Sequence, residues 1–433
     1  MREGKLVSHR AAELAADAYA ERAELVERFF THEAPRLARL CHAMASRFAR
    51  GGRLIAFGVG AAATDAQHIS VEFVHPVIVG KRALPALALV NDGPSSIGMA
   101  LRDGRGFLAG QLATLARPED IAVGLVHGPG DPGAAESVPV ALERAATLGL
   151  LPVALTGAPD ETAVSPDAFE VMSDDPFVVQ EIHETLYHVL WELVHVFFDH
   201  RGLLEDRDEG TRHDTGGSSF LYPFLAEAEE GLERVLGEVE DSIVQKARDV
   251  ARMRKASCAP DELAATAELM ARSIADGGKI LAFGNGGSAT DAQDLVVDLM
   301  APPSGLEPVP AISLTNDAAV VTAVGNDVGF DNVFARQVIA YGSPGDVAVA
   351  ISTSGGSRNV LAAVEEARRR GLVTIGLAGY GGGRLAELCD RAHVIDADYI
   401  PRIQEAQATQ YHVLRRLLAP TGAMSHEAPD LLT

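Results

Sequence analysis

The sequence predicts an α/β protein made of two tandem copies of one domain. Each copy is expected to be a parallel sheet flanked by helices, behind an N-terminal helical extension. Three observations carry this: a long-range internal repeat, short apolar runs alternating with helical patterns inside each repeat, and glycine-rich segments where a strand would pass into a helix.

The repeat is direct. Gly51-Gly52-Arg53-Leu54-Ile55-Ala56-Phe57-Gly58 returns 226 positions later as Gly277-Gly278-Lys279-Ile280-Leu281-Ala282-Phe283-Gly284. Thr64-Asp65-Ala66-Gln67 returns at the same spacing as Thr290-Asp291-Ala292-Gln293, and Asp120-Ile121-Ala122-Val123 as Asp346-Val347-Ala348-Val349. Gln180-Glu181 and His188-Val189 return 224 positions on as Gln404-Glu405 and His412-Val413, so small deletions separate the copies. A period slightly over half of 433 residues is a domain duplication and not a short-period solenoid. The expected domains are 1–200 and 220–419, with a polar, Gly-rich linker at 201–219 and a loose tail at 420–433.

Each copy opens with a long amphipathic helical region, Ala11 to Arg50 and Phe224 to Asp276. The strands expected in the second copy are Lys279–Phe283, Val309–Leu314, Val347–Ile351, Val373–Leu377 and Ala392–Ile395. Helical stretches such as Asn359 to Arg370 lie between them, and Ile403 to Leu418 closes the copy. Strands that are apolar throughout and alternate with helices form a parallel sheet covered on both faces, with ligands at the carboxyl ends of the strands.

Composition narrows the function. The chain has 37 basic and 60 acidic residues, a net charge of −23, which argues against nucleic acid or an anionic membrane surface as partner. Cys41, Cys258 and Cys389 are scattered, with no CxxC, as expected of small core residues in a reducing cytoplasm. The N-terminus lacks the apolar run of a secretory signal, and no window approaches eighteen uninterrupted apolar residues. A cytoplasmic protein is expected.

Two loops of the second copy suit a phosphate. Gly284-Asn285-Gly286-Gly287-Ser288 leads from a strand into a helix, where glycines admit a ligand to backbone N–H groups and Ser288 adds a hydroxyl. Ser352-Thr353-Ser354-Gly355-Gly356-Ser357 places four hydroxyls at a second strand-to-helix turn, where an ordinary N-cap needs one. A nucleotide cofactor is not expected. Gly284-x-Gly286-x-x-Ala289 fits the dinucleotide fingerprint loosely, but the second strand ends Leu314-Thr315-Asn316, without the acidic residue that a ribose requires. The first copy has lost this equipment: its loops read Gly58-Val59-Gly60-Ala61-Ala62 and Val126-His127-Gly128-Pro129-Gly130-Asp131.

The first copy carries a different signal. His68 and Glu72 share a helix face at i,i+4, and Gln180 and His188 lie on its last helix. Two imidazoles, a carboxylate and an amide oxygen make a nitrogen/oxygen set suited to tetrahedral zinc, although an isolated i,i+4 His/Glu pair is more often a solvated face. In the second copy these positions are Asp294, Asp298, Gln404 and His412, an oxygen-richer set suited to a harder or weaker metal, or to none. His75, His183 and His195 read as packing or surface residues. Lys81-Arg82 reads equally as a phosphate clamp or as solvated loop charges.

Gly284-Asn285-Gly286-Gly287-Ser288, Val324-Gly325-Asn326-Asp327-Val328-Gly329-Phe330, Ile351-Ser352-Thr353-Ser354-Gly355 and Arg402-Ile403-Gln404-Glu405 resemble the sugar isomerase (SIS) domain family. The likeness is to its phosphoheptose isomerases and the related initiator-associating replication factor. It covers about Phe224 to Leu418 and, more weakly, Ala11 to Phe198. It implies that Ser288, Ser352, Ser354 and Ser357 hold a sugar phosphate with Asn285 nearby, and that His68, Glu72, Gln180 and His188 stand at the zinc positions. It also implies aldose–ketose isomerisation of sedoheptulose 7-phosphate to D-glycero-D-manno-heptose 7-phosphate, with Glu72 and His188 as acid–base groups. A site composed across the copies competes with a self-contained second-copy site using Asp298 and His412. The alternative function is a non-catalytic sugar-phosphate binder or partner-docking protein; an enzyme on another phosphosugar is a third. Because the family assembles as tetramers of single domains, the resemblance implies a homodimer of this two-domain chain.

Overall fold

The computed structural model describes residues 2–76, 81–128, 132–157, 168–200, 202–204 and 231–418. The expected linker at 201–219 lies almost wholly outside these residues, and the tail at 420–433 wholly so.

In the first copy, α1 (Arg2–Ala49) precedes β1 (Leu54–Phe57), α2 (Ala61–Val74), β2 (Ala86–Ala88), α3 (Gly93–Asp103), α4 (Phe107–Leu115), β3 (Ile121–Val126), α5 (Pro132–Thr147), β4 (Leu151–Thr156), β5 (Ala168–Glu170) and α6 (Pro176–Asp199). The second copy runs α7 (Leu232–Ala256), α8 (Pro260–Ala275), β6 (Ile280–Phe283), α9 (Gly287–Met300), β7 (Ala311–Ser313), α10 (Ala318–Val328), α11 (Val333–Tyr341), β8 (Val347–Ser352), α12 (Arg358–Arg369), β9 (Val373–Ala378), α13 (Gly383–Leu388), β10 (Arg391–Val394) and α14 (Ile400–Leu417).

Both sheets are parallel and five-stranded with one order, β2-β1-β3-β4-β5 and β7-β6-β8-β9-β10. Register repeats as well: Leu54 pairs with Ile121 as Ile280 pairs with Val347, and Val126 pairs with Thr156 as Ser352 pairs with Ala378. Every residue of β1, β6 and β8 is buried, as strands covered on both faces require. The five expected second-copy strands all form, within two residues of their expected ends.

The helical extensions differ between the copies. The first is one helix of 48 residues, whereas the second breaks at Ser257-Cys258-Ala259-Pro260, where Pro260 starts α8 at a position needing no N–H. The copies are also interleaved. Val235, Val239, Ile243, Ala247 and Val250 of α7 join one continuous core with Val26, Phe30 and Leu37 of α1 and with α6. Ala15 and Tyr19 of α1 pack with Leu263, Ala267, Val413 and Leu414 of the second copy. This exchange of extensions sets α2, α6, α9 and α14 against one another along a pseudo-twofold seam.

Among the described residues, no helix is long and apolar enough to cross a membrane.

Candidate functional site

The seam gathers the chemistry. α2 and α9 leave their sheets at the same turn, with Gly60 and Gly286 at φ 63° and 58°, a left-handed conformation that suits glycine. α6 and α14 run buried beside them. A small, narrow cleft lies between, lined by Thr64 and Thr290, Asp65 and Asp291, His68 and Asp294, and Tyr187 and Tyr411.

The first centre holds His68, Glu72, His188 and Gln404, all nearly fully buried. His68 Nε2 lies 3.8 Å from Glu72 Oε1 and accepts a hydrogen bond from Gln404 Nε2 at 3.1 Å, while His68 Nδ1 meets the Tyr187 hydroxyl at 3.0 Å. The His68 and His188 rings are 5.3 Å apart, nearly edge to face. Gln180, which the resemblance groups with His68, lies instead on the other side of the seam. It hydrogen-bonds Asp294, and its amide reaches Asp65 Oδ1 at 3.5 Å. The glutamine beside His68 comes from the other copy, although α6 packs on α2 and α14 on α9 within their own copies.

His188 is held by a relay from the second copy. Its Nδ1 donates to Glu405 Oε1 at 3.1 Å, and Arg402 pairs with the same carboxylate. Burial pushes Glu405 up, but Arg402 and the His188 hydrogen bond outweigh it, and the carboxyl lies below its usual range. An ionised Glu405 accepting from Nδ1 leaves Nε2 as the lone-pair nitrogen. The run Arg402-Ile403-Gln404-Glu405 therefore serves a histidine of the first copy.

Zinc is a fair test for this centre. Three of its buried donor atoms, Glu72 Oε2, His188 Nε2 and Gln404 Oε1, have no hydrogen-bond partner among the described residues. Their nitrogen/oxygen mix suits zinc.

The Gly284–Ser288 loop of the second copy abuts this centre. A Cβ on Gly287 would sit 2.0 Å from Gln404 Nε2 and 2.6 Å from His68 Nε2, so the first turn of α9 touches the His68 centre. Ser288 is buried in that turn. In the second loop the Ser352 and Ser357 hydroxyls are 3.1 Å apart, and Ser354 Oγ accepts from Gly356 N at 3.2 Å. Ser357 occupies the N-cap of α12 without making a side-chain cap, which leaves its hydroxyl for another partner. Thr353 is half-buried in the same loop, and its carbonyl accepts from Gly379 N at 2.9 Å. Asn285 and Asn359 exchange reciprocal amide hydrogen bonds at 2.9 and 2.8 Å, tying the two loops together.

The second centre answers the first across the seam with different chemistry. His412 Nε2 lies 3.3 Å from Asp294 Oδ2 and 3.4 Å from Asp298 Oδ2, and His412 Nδ1 donates to Glu181 Oε1 at 3.0 Å. Burial works against a charged His412, but Asp294, Asp298 and Glu181 together raise it well above the usual imidazole range. Burial and the Asp294 charge push Asp298 up to about 6. Asp294, Asp298 and His412 also bring one ligand atom each within 4.8 Å of the others, and His412 Nε2 and Asp298 Oδ2 have no hydrogen-bond partner among the described residues. Ala61 stands where the other copy has Gly287.

Lys81-Arg82 stands at the far end of α6. The Arg82 carbonyl meets His195 Nε2 at 2.8 Å and its guanidinium lies over Phe198, so Arg82 serves packing there. His195 is a packing residue, bonded also to the Trp191 carbonyl, and His75 is exposed at the end of α2. Sequence reasoning missed Glu405, Arg402, Glu181 and Tyr187 as supports. Repetition of Gln180-Glu181 as Gln404-Glu405 was the available signal.

A family model described as the SIS domain matches the chain twice, over residues 18–157 and 227–379. A phosphoheptose isomerase of Rhodospirillum rubrum is 46% identical over 163 residues, 37% of this chain and 86% of that protein. One from Solidesulfovibrio magneticus is 50% identical over 158 residues, 36% of this chain and 76% of that protein. Among solved structures, the C-terminal domain of glucosamine-fructose-6-phosphate aminotransferase from Francisella tularensis is similar with a TM-score of 0.51 at 11% identity, covering 91% of this chain and 95% of that one. That likeness is one of fold.

Proposed function

From the premise that this chain belongs to the SIS domain family, we propose that it is a zinc-dependent sugar-phosphate isomerase with one composite active site. The substrate class proposed is a seven-carbon ketose phosphate, sedoheptulose 7-phosphate. The observation that carries the reading is the approach of Gly287 to His68 and Gln404, which sets the Gly284–Ser288 loop of one copy against the His68 centre of the other.

Ser288, Ser352, Ser354 and Ser357, with Thr353 and Asn285 beside them, bind the phosphate. In a chain of net charge −23 this binding rests on hydroxyls and helix N-termini. His68, Glu72, His188 and Gln404 would hold zinc, which when bound polarises the sugar carbonyl. Moving a proton between C1 and C2 requires a base and its conjugate acid. Glu72 Oε2 and His188 Nε2, both buried and without a hydrogen-bond partner among the described residues, are the acid–base atoms at this centre. A group bound to an ion is not at that moment a free base. The proton work therefore falls to whichever of the two the ion leaves uncoordinated, and pH–rate profiles of Glu72→Gln and His188→Gln distinguish them.

The reading is tested by metal analysis of the purified chain and isomerisation of sedoheptulose 7-phosphate. Bound zinc with turnover is expected. No metal and no turnover would favour a sugar-phosphate binder, the reading supported by the altered second centre.

Gly287→Ala isolates the composite feature. The added Cβ overlaps two buried side chains at the first turn of α9, so some loss of stability is expected and activity is read per folded molecule. The same Cβ displaces Gln404 and crowds His68, and kcat/KM is expected to fall by about 100-fold, an effect typical of a displaced positioning group. Unchanged kcat/KM would argue against the composite site.

A homodimer is also proposed. No residue of α10 is buried, although it carries Val320, Val321, Val324 and Val328, and Phe330 follows it exposed; Ile97 and Leu101 of α3 are exposed in the first copy. Such apolar surface calls for a partner. Sedimentation is expected to give twice 45.6 kDa, and Val328→Asp with Leu101→Asp is expected to return the monomer.

A further inference from the structure

We infer a further metal site, confined to the first copy, in which Asp65, His127 and His183 bind a divalent zinc-type cation. The site shares no ligand with the His68 centre. One donor atom from each of the three residues lies within 4.8 Å of the others, and all three side chains are buried.

The donors are prepared. The Thr156 carbonyl can only accept, so the 3.4 Å contact from His183 Nε2 places the ring proton there. His183 Nδ1 is then the lone-pair nitrogen. It is buried and has no partner among the described residues, and His183 itself is fully enclosed. A buried acceptor without a donor is costly, and a metal ion satisfies it. His127 Nε2 and Asp65 Oδ2 are 2.7 Å apart, sharing a proton. Neighbouring ligands of tetrahedral zinc stand about 3.3 Å apart at metal–ligand lengths near 2.0–2.1 Å, so binding needs a small opening and releases that proton. The other Asp65 oxygen is fixed by the Tyr187 hydroxyl at 3.4 Å and the Gln180 amide at 3.5 Å, the outer support a metal-binding carboxylate requires.

The second copy shows what changed. Asp291 corresponds to Asp65, but Thr353 and Gln407 stand where the first copy has His127 and His183. The imidazole pair therefore occurs only in the copy whose phosphate loops are lost, at the carboxyl end of β3, where its counterpart has the hydroxyl loop. Three ligands from β3, α2 and α6 pin these elements together and leave a fourth position for water.

The test is metal content, so its outcome is separate from that of the isomerase reading. The full-length chain, stripped with EDTA, is dialysed against zinc beside His127→Thr/His183→Gln, which installs the second copy's residues. The double variant, shown to be folded by circular dichroism, is expected to bind one equivalent fewer zinc than the unmodified chain. Equal stoichiometry overturns the site. If the variant does not fold, crystals of the unmodified chain grown with zinc decide by anomalous scattering at the zinc edge. A peak bounded by Asp65, His127 and His183 is expected, and its absence overturns the proposal.

Discussion

His188→Ala is expected to lower isomerase kcat by about a thousandfold or more while the fold persists, within the range general acid–base groups contribute. His188 stands on α6 of the first copy, its ring beside His68, with Nε2 buried and without a hydrogen-bond partner among the described residues. Its orientation comes from Glu405, and Glu405 is held ionised by Arg402, both on α14 of the second copy. Glu405→Gln keeps the shape and removes the charge, so it acts on His188 only through orientation and basicity. A loss of about 10- to 100-fold is expected, as for other outer supports of a metal-ligating histidine. The sign that Glu405 positions and does not itself react is a shifted pH–rate profile in Glu405→Gln. A self-contained second-copy site would show the reverse order, with His188→Ala near wild type. Circular dichroism of each variant separates lost chemistry from lost fold.

Much of the fold was legible because a duplication tests itself. Strands expected from apolar runs in one copy recur at the same spacing in the other, and the common sheet order follows. The extensions were less legible. Helical periodicity continues through Ser257 to Pro260, and only the proline's inability to supply an interior N–H marks the break. The exchange of α1 and α7 between cores leaves no local trace, since an apolar helix face does not name its partner. This explains the site as well. The residue types around His68 and His412 were readable, but Gln180 and Gln404 change places across the seam, which spacing within one copy cannot show. His183 looked like a packing residue for the same reason: its relation to Asp65 and His127 exists only once β3 and α6 meet.

His412→Gln is expected to cost about 3–5 kcal/mol of stability at pH 6, the range for removing one partner of a buried ion pair, with turnover per folded molecule within tenfold of wild type. The groups facing His412 are Glu181 from α6, Asp294 and Asp298 from α9, and the Phe177 ring stacked at 4.8 Å. Burial pushes Glu181 up, but Arg22, His412 and Arg254 outweigh it and hold the carboxyl well below its usual range. Removing the imidazolium leaves these buried carboxylates without their shared cation. The pH dependence follows from the sign of the His412 shift. A base whose folded pKa is raised contributes stability that is fully present below its unfolded value, about 6.5, and is lost as pH rises through the folded pKa. The gap between wild type and His412→Gln in urea unfolding is therefore expected to be largest near pH 6 and to narrow toward pH 9. The depressed Glu181 acts at the other end. Its contribution is present above about 4.5 and is lost as pH falls through its folded value, so the wild type is expected to resist mild acid. A gap that stays constant from pH 6 to pH 9 would show that His412 does not carry the charge, and would return the second centre to the candidates for metal binding. A narrowing gap keeps the second centre occupied by its own imidazolium and leaves the His68 centre as the site of chemistry.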